Sequence, residues 1–461
     1  MVTPLFPLWA CAALAMEPDL SALRLSPTTA TLDNGLTVAV HEDHRAPIVA
    51  ISLRYRVGAA EDPPGASGTA HLFEHLMFEG TERVPSGQYD ALLAAAGATN
   101  NAWTDHDWTT YQVQGPPEVL DLALFLEADR LAGLSTGLKA EDIANQRDVV
   151  LNERLGDEIT DDIYPIYALH WLVWPYEHPY SLPVLGTRVD VQGAERDTLV
   201  AFFEAHYVAS NAVLTIVGDV DAQEAIALAE RHLGALPLAP APARVGPEDW
   251  PRGDPGWVYG RFTEERWVML EDIDDQALYV AWNTVPRGHP DEPALDVLSM
   301  VLSGAQGTRL DDPLYYRRSR ATGLSVWTGN GRLGGTFVFH ATRDDRRLKP
   351  LLRVLDRELD RIRETPPSQE EIDRAISIWW ADTVRALEDH EALADAIGEC
   401  IVTFDEPDCL ADDLGRYLAV TPEDVQRVAN TWLVEQRVVL SVVSAGERRL
   451  EIPGSAEVYA P

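Results

Sequence analysis

The sequence predicts an α+β protein built of two similar halves, and three observations lead to that reading. Strand-like and helix-like stretches follow one another along the chain, a Pro-, Ala- and Gly-rich segment interrupts them near the middle, and the plan after that segment repeats the plan before it. At 461 residues the chain is long enough for two or more domains of roughly 100–200 residues each. Apolar residues at 46% and charged residues at 24% are the proportions of a chain that buries an ordinary core.

Taken in order, Val2 to Met16 is apolar and ends in Ala13-Leu14-Ala15, a small-x-small pattern of the kind cut by signal peptidase. Residues 1–15 are therefore expected to be an export signal, although no Lys or Arg precedes Arg24. Thr31 to Val40 and Ile48 to Val57 read as strands, with Asn34-Gly35 turning the chain inside the first stretch. After the glycine-bearing loop Gly65 to Gly68, Thr69 to Phe78 is apolar at helical spacing. Further helices are expected at Ser86 to Ala96, Pro117 to Ala132 and Ala140 to Gly156, and the aromatic and Thr-rich segment Asn101 to Gln114 reads as a strand.

The linker is placed at 238–256, where Leu238 to Ala243 and Pro251 to Gly256 are rich in Pro, Ala and Gly. That boundary divides the chain into an N-terminal domain at 25–237 and a C-terminal domain at 257–461. The second half opens with a strand at Gln276 to Trp282 and a helix at Glu292 to Leu302. A later helix begins at Thr421, whose hydroxyl can cap it, with Pro422 in the first turn and Asp424 closing a capping box. No segment reads as a membrane span.

Seventy-four acidic against 37 basic residues give a formal charge of −37, a field that repels polyanions, so nucleic acid is excluded as a partner. The acidity fits either a solvated surface or a chamber that attracts basic peptides. Of the three cysteines, Cys11 lies within the signal segment, leaving Cys400 and Cys409, which either pair in an oxidising compartment or remain two ordinary thiols.

The chemistry concentrates in His71-Leu-Phe-Glu74-His75. Four residues apart on a helix, His71 and His75 share a face, with Glu74 beside it. Two imidazoles and a carboxylate suit a catalytic zinc, and a free carboxylate nearby suits the base that takes a proton from water. The competing reading is two histidines satisfied within a core. On the helix expected over Ala140 to Gly156, Gln146 and Glu153 lie seven apart and so on nearly one face. The second half has no counterpart of the motif.

The run Gly68-Thr-Ala-His-Leu-Phe-Glu-His-Leu-Met-Phe-Glu-Gly-Thr81 resembles the inverted zinc motif of the pitrilysin/insulinase peptidases, the inverzincins, to which mitochondrial processing peptidase is related. The resemblance continues through Asn101 to Tyr111, Leu126-Glu-Ala-Asp-Arg130, Arg147 to Glu153, Ala294 to Leu302, Gly307 to Leu310 and Val420 to Val425. It implies two homologous α/β-sandwich halves that form a clamshell around a chamber, and one Zn2+ per chain held by His71, His75 and Glu153 with Glu74 as general base. A second Glu in the family's supporting position is Gln146 here. Asn101, Ala102, Trp103 and Thr104 correspond to the edge strand that takes up the substrate peptide, and His106 is expected to have no metal role.

The family's second half supplies an Arg and a Tyr to the reacting carbonyl. In Arg317-Arg-Ser-Arg-Ala-Thr-Gly-Leu-Ser-Val-Trp327 the tyrosine is missing, and Arg317, Arg318 and Arg320 all compete for the arginine. The expectation is a zinc metalloendopeptidase that acts on peptides or small unfolded proteins. Its partner is a zinc-lacking relative in a heterodimer, with a homodimer as rival, and its location is periplasmic or secreted, otherwise cytoplasmic. The rival function is a non-catalytic assembly subunit of the same fold, like the core subunits of respiratory complexes.

Overall fold

A computed structural model describes residues 20–159, 164–175, 178–244, 264–317, 320–344 and 346–459. The proposed signal segment, residues 245–256 of the linker and Arg318 lie outside these. Among the described residues, the chain forms two six-stranded mixed sheets, each backed by helices.

The first sheet is made of β1 (Thr28–Thr31), β2 (Thr37–Glu42), β3 (Val49–Tyr55), β4 (Thr99–Thr104), β5 (Thr109–Gly115) and β6 (Ala212–Gly218). Its lateral order is β1-β2-β6-β3-β5-β4, with β2 and β6 parallel and the other neighbours antiparallel. Its helices are α1 (Thr69–Leu76), α2 (Gln88–Ala95), α3 (Leu120–Gly137), α4 (Ala140–Ile159), α5 (Tyr164–Val173), α6 (Arg188–Gln192), α7 (Arg196–His206) and α8 (Ala222–Leu233).

The second sheet is made of β7 (Glu265–Leu270), β8 (Gln276–Thr284), β9 (Gly323–Gly331), β10 (Gly334–Arg343), β11 (Val438–Val443) and β12 (Ala456–Glu457). It has the order β12-β7-β11-β8-β10-β9. From the second strand onward the two orders correspond, and each contains one parallel pair beside its central strand (β2 with β6, β7 with β11). The outermost position differs: β1 precedes β2 as an antiparallel hairpin, whereas β12, the last strand of the chain, lies parallel to β7. The helices of this half are α9 (Glu292–Leu302), α10 (Lys349–Glu364), α11 (Gln369–Ala386), α12 (His390–Phe404), α13 (Leu410–Leu418) and α14 (Pro422–Thr431). Thr421 caps α14 and Asp424 closes its box, as the sequence implies.

One reading of the sequence needs correction. Asn101 to Gln114 is not a single strand but the hairpin β4–β5. Asp105 accepts hydrogen bonds from the N–H groups of Asp107 and Trp108, and its own N–H bonds to the Trp108 carbonyl, which closes a turn in the middle of a β-favouring run.

Each half also covers the other. Strand β3 is buried along its whole length. Val49, Ile51, Leu53 and Tyr55 face the helices of their own half, while Ser52 and Arg54 meet Asp395 of α12 at 2.8 and 3.1 Å. Leu393, Ala394, Ile397 and Ile401 of α12 pack there on Ala39, Val213 and Val217. In return, Leu169, Leu172 and Val173 of α5, with Trp174 beyond it, pack on Tyr279, Ala281, Val338 and Leu440 of the second sheet. A sheet buried on both faces loses the in–out alternation that a half-exposed strand shows in sequence. Cys400 of α12 and Cys409, just before α13, are disulfide-bonded with Cα atoms 5.5 Å apart.

Candidate metal centre

Helix α1 starts at Gly68, whose φ of +84° suits a residue without Cβ. A Cβ there would stand 2.6 Å from the Leu185 carbonyl oxygen, so glycine is required both by the backbone angle and by a close crossing of chain. Asp62 accepts from the N–H groups of Gly68 and Ala70 at 2.7 and 2.8 Å and so satisfies donors at the start of the helix. Burial pushes its carboxyl up to about 8, against the pull of those backbone N–H groups. Ser67 donates to Asp190 and accepts from the Thr187 N–H, and Arg154 of α4 donates to the Gly186 carbonyl. The loop before α1, the segment before α6 and α4 are thereby tied together beside the site.

On this frame His71 and His75 stand one turn apart with ring centroids 4.9 Å from each other. Glu153 comes in from α4, with Oε2 3.3 Å from His75 Nε2 and 3.8 Å from His71 Nε2. The three ligand atoms lie within 4.8 Å of one another, the one such grouping of three metal-ligating side chains among the described residues. His71 is buried, His75 half-buried and Glu153 exposed, so the cluster is sunk on one side and open on the other. Burial lowers the His71 imidazole to about 4, which keeps it neutral, as a ligand must be. The hydrogen bond from His75 holds the Glu153 carboxyl below its usual range, against the opposing effect of burial. Two imidazole nitrogens and one carboxylate oxygen with an open side are the donor set of a catalytic zinc, and the residues fit such an ion. His71 Nδ1 is buried without a hydrogen-bond partner.

Glu74 lies beside the cluster, its Oε2 4.0 Å from His71 Nε2. Thr104 donates its hydroxyl to that same oxygen at 2.6 Å. Burial raises the Glu74 carboxyl and the Thr104 hydrogen bond opposes the rise. Thr104, which the sequence places with the peptide-binding residues, therefore touches Glu74, a contact between residues 30 apart that the sequence does not signal. Of its companions, Asn101 is exposed and Trp103 lies over the Arg54 guanidinium at 5.2 Å. Ala102 packs on the core of the first half. All four are on β4, which ends the sheet order and, among the described residues, pairs only with β5.

Gln146 is not in the cluster. Its amide donates to Glu79, which follows α1 and also accepts from Ser86. His106 bonds the Leu182 carbonyl oxygen at 3.0 Å and stacks on His170. In the Leu126 to Arg130 segment, Arg130 forms a buried ion pair with Glu127 and lies 4.1 Å over the Tyr111 ring, while Asp129 accepts from Thr81.

Residues 37–158 match the family profile described as Insulinase (Peptidase family M16), and residues 193–378 match the profile described as Peptidase M16 inactive domain. The chain belongs to the M16 peptidase family. Among M16 relatives, an uncharacterized zinc protease of Streptomyces coelicolor is 27% identical over 90% of this chain and 88% of its own. The zinc protease PqqE of Helicobacter pylori is 26% identical over 87% and 89%. The mitochondrial-processing peptidase subunit beta of Lentinula edodes is 25% identical over 89% and 88%. The crystal structure of a protease from Helicobacter pylori superposes with a TM-score of 0.82 at 24% identity, covering 90% of this chain and 99% of that one, which establishes the two-half M16 fold. No helix among the described residues is long and apolar enough to cross a membrane.

Proposed function

We propose that this M16 family member is a zinc-dependent endopeptidase in which His71, His75 and Glu153 hold the ion and Glu74 is the general base. The observation that carries this reading is the convergence of the three ligand atoms within 4.8 Å, with a fourth, Thr104-held carboxylate beside them. Zinc bound there would supply a Lewis acid that polarises a scissile carbonyl and acidifies a water molecule. Glu74 takes the proton of the attacking water and passes it to the departing amine. Thr104 fixes one carboxylate oxygen, so the base is presented in one orientation. The peptide lies alongside β4 as an added strand, aligned by backbone hydrogen bonds to Asn101, Ala102, Trp103 and Thr104, which suits substrates of varied sequence.

The oxyanion-stabilising pair comes from a second chain. Arg317 is exposed and paired with Asp312 at 2.6 Å, and Arg320 lines a separate cleft in the C-terminal half that contains none of the metal-centre residues. A missing oxyanion donor costs about a hundredfold or more in rate. A heterodimer with a zinc-lacking relative restores it, and a homodimer is the rival. Residues 25–237 serve as the metal-bearing domain and 257–461 as the domain without it. The disulfide between Cys400 and Cys409 supports an oxidising, exported location.

A second reading, a non-catalytic subunit, draws on the match of residues 193–378 to a profile described as an inactive domain. Zinc stoichiometry and peptide cleavage, measured on wild type and Glu74→Gln, separate the two. One zinc per chain, cleavage by the wild type with its native partner, and loss of cleavage with metal retained in the variant are expected. Metal retained with unchanged cleavage sinks the assignment of Glu74, and neither metal nor cleavage in the wild type favours the subunit reading. Copurification from the native source tests the partner, since a fully active lone monomer would remove the need for one.

A further inference from the structure

In a chain with a net charge of −37, one cleft is lined, among the described residues, by five arginines and by no carboxylate. Its volume is about 610 Å³, and Arg320, Arg343, Arg346, Arg353 and Arg357 line it with Pro350 and Val354. They come from three places in the C-terminal half. Arg320 precedes β9, Arg343 ends β10 with Arg346 just after it, and Arg353 and Arg357 stand one turn apart on α10. Arg346 and Arg357 have carboxylate partners, Asp344 at 3.2 Å and Glu358 at 3.0 Å. Among the described residues Arg320, Arg343 and Arg353 have none.

Arg343 shows that the cleft is built rather than incidental. It is 5% exposed, one of its terminal nitrogens donates to the Arg347 carbonyl oxygen at 2.9 Å, and its Nε–H is buried without an acceptor. A buried guanidinium beside like charges is costly unless an anion joins it. Guanidinium groups present planar forks that match phosphate and carboxylate oxygens in pairs. A single carboxylate would leave most of this charge uncompensated, whereas an oligophosphate brings three or four negative charges in a compact group that such a cleft can enclose. We propose that this arginine cleft is a binding site for a multiply charged phosphate anion, separate from the metal centre and independent of any peptidase activity.

Calorimetric titration of the full-length protein with sodium tripolyphosphate tests this. One saturable site per chain is expected, weakening at least tenfold in Arg320→Ser/Arg353→Ser and unchanged in Arg385→Ser, an exposed arginine elsewhere, with thermal melting confirming that each variant is folded. Cosedimentation with phosphatidylglycerol vesicles, reversed by tripolyphosphate, assigns the phosphate to a lipid headgroup. Tripolyphosphate binding without cosedimentation assigns it to a free oligophosphate. Absence of saturable binding to either probe, equal affinity in the double variant, or equally tight binding of citrate would overturn the proposal.

Discussion

Thr104 on the edge strand donates its hydroxyl to Glu74 on the metal-site helix at 2.6 Å, so the strand proposed to receive the peptide also holds the proposed base. Thr104→Val removes that bond while keeping the shape of the side chain. A hydrogen bond to a charged group is worth about 1.5–3 kcal/mol, so kcat should fall about tenfold or more with little change in KM, and Thr104→Ser should restore it. Burial raises the Glu74 carboxyl and Thr104 lowers it, so the valine variant moves the acidic limb of the cleavage profile to higher pH. A limb that stays in place while kcat falls would assign Thr104 a steric role only.

Gln146 donates to Glu79 where a carboxylate would face another carboxylate. Gln146→Glu is therefore expected to destabilise the protein by about 1 kcal/mol at neutral pH, with the loss recovered in acid as one of the pair protonates. Adding Glu79→Gln should remove the penalty. Urea melts of the single and double variants at two pH values check this.

Asp395 meets the buried Arg54 across the two halves at 3.1 Å. Asp395→Ala leaves that guanidinium without its ion pair and takes an acceptor from Ser52, a loss of about 3 kcal/mol in denaturant unfolding. Asp395→Asn should lose less, because the amide oxygen still accepts.

Glu371 is held at about 2 by the hydrogen bonds of Arg309, at 2.7 and 3.0 Å. Its folded value lies below its unfolded one, so the stability it contributes is present above about 4.5 and is lost as the pH falls toward 2. Arg309→Met should lower stability at pH 7 and do so by less at pH 3, measured by urea titration at each pH.

Cys400 and Cys409 enclose a short loop, and closing one of that size stabilises by about 2–3 kcal/mol in the chain-entropy account. Cys400→Ser/Cys409→Ser, or reduction, should lower the melting temperature, and hydrogen exchange should increase first in α12. An unchanged melting temperature under a strong reductant would show that the bond contributes nothing to the folded state.

Much of the proposed metal centre is legible in the sequence because it rests on local geometry. His71, Glu74 and His75 lie within two turns of one helix, and helical periodicity puts them on adjoining faces. Glu153 is far downstream, and its proposed ligand role comes from resemblance, since no local pattern says which face of α4 meets α1. The hairpin at 101–114 was missed because its turn is made by the Asp105 side chain inside a run of β-favouring residues, with no glycine or proline to mark it. The partnership of Thr104 with Glu74 was invisible for the same reason as that of Arg54 with Asp395. Each joins residues brought together by tertiary packing, and a buried charge looks like a surface charge until its partner is known.

The exchange of α5 and α12 between the sheets bears on how the protein would respond to damage. A fragment ending at residue 244 would expose Ala39, Val213 and Val217 to water, and one beginning at residue 264 would expose Tyr279, Val338 and Leu440. Neither piece could persist alone. A single backbone cut between them would leave a nicked protein that still migrates as one body and comes apart only when denatured.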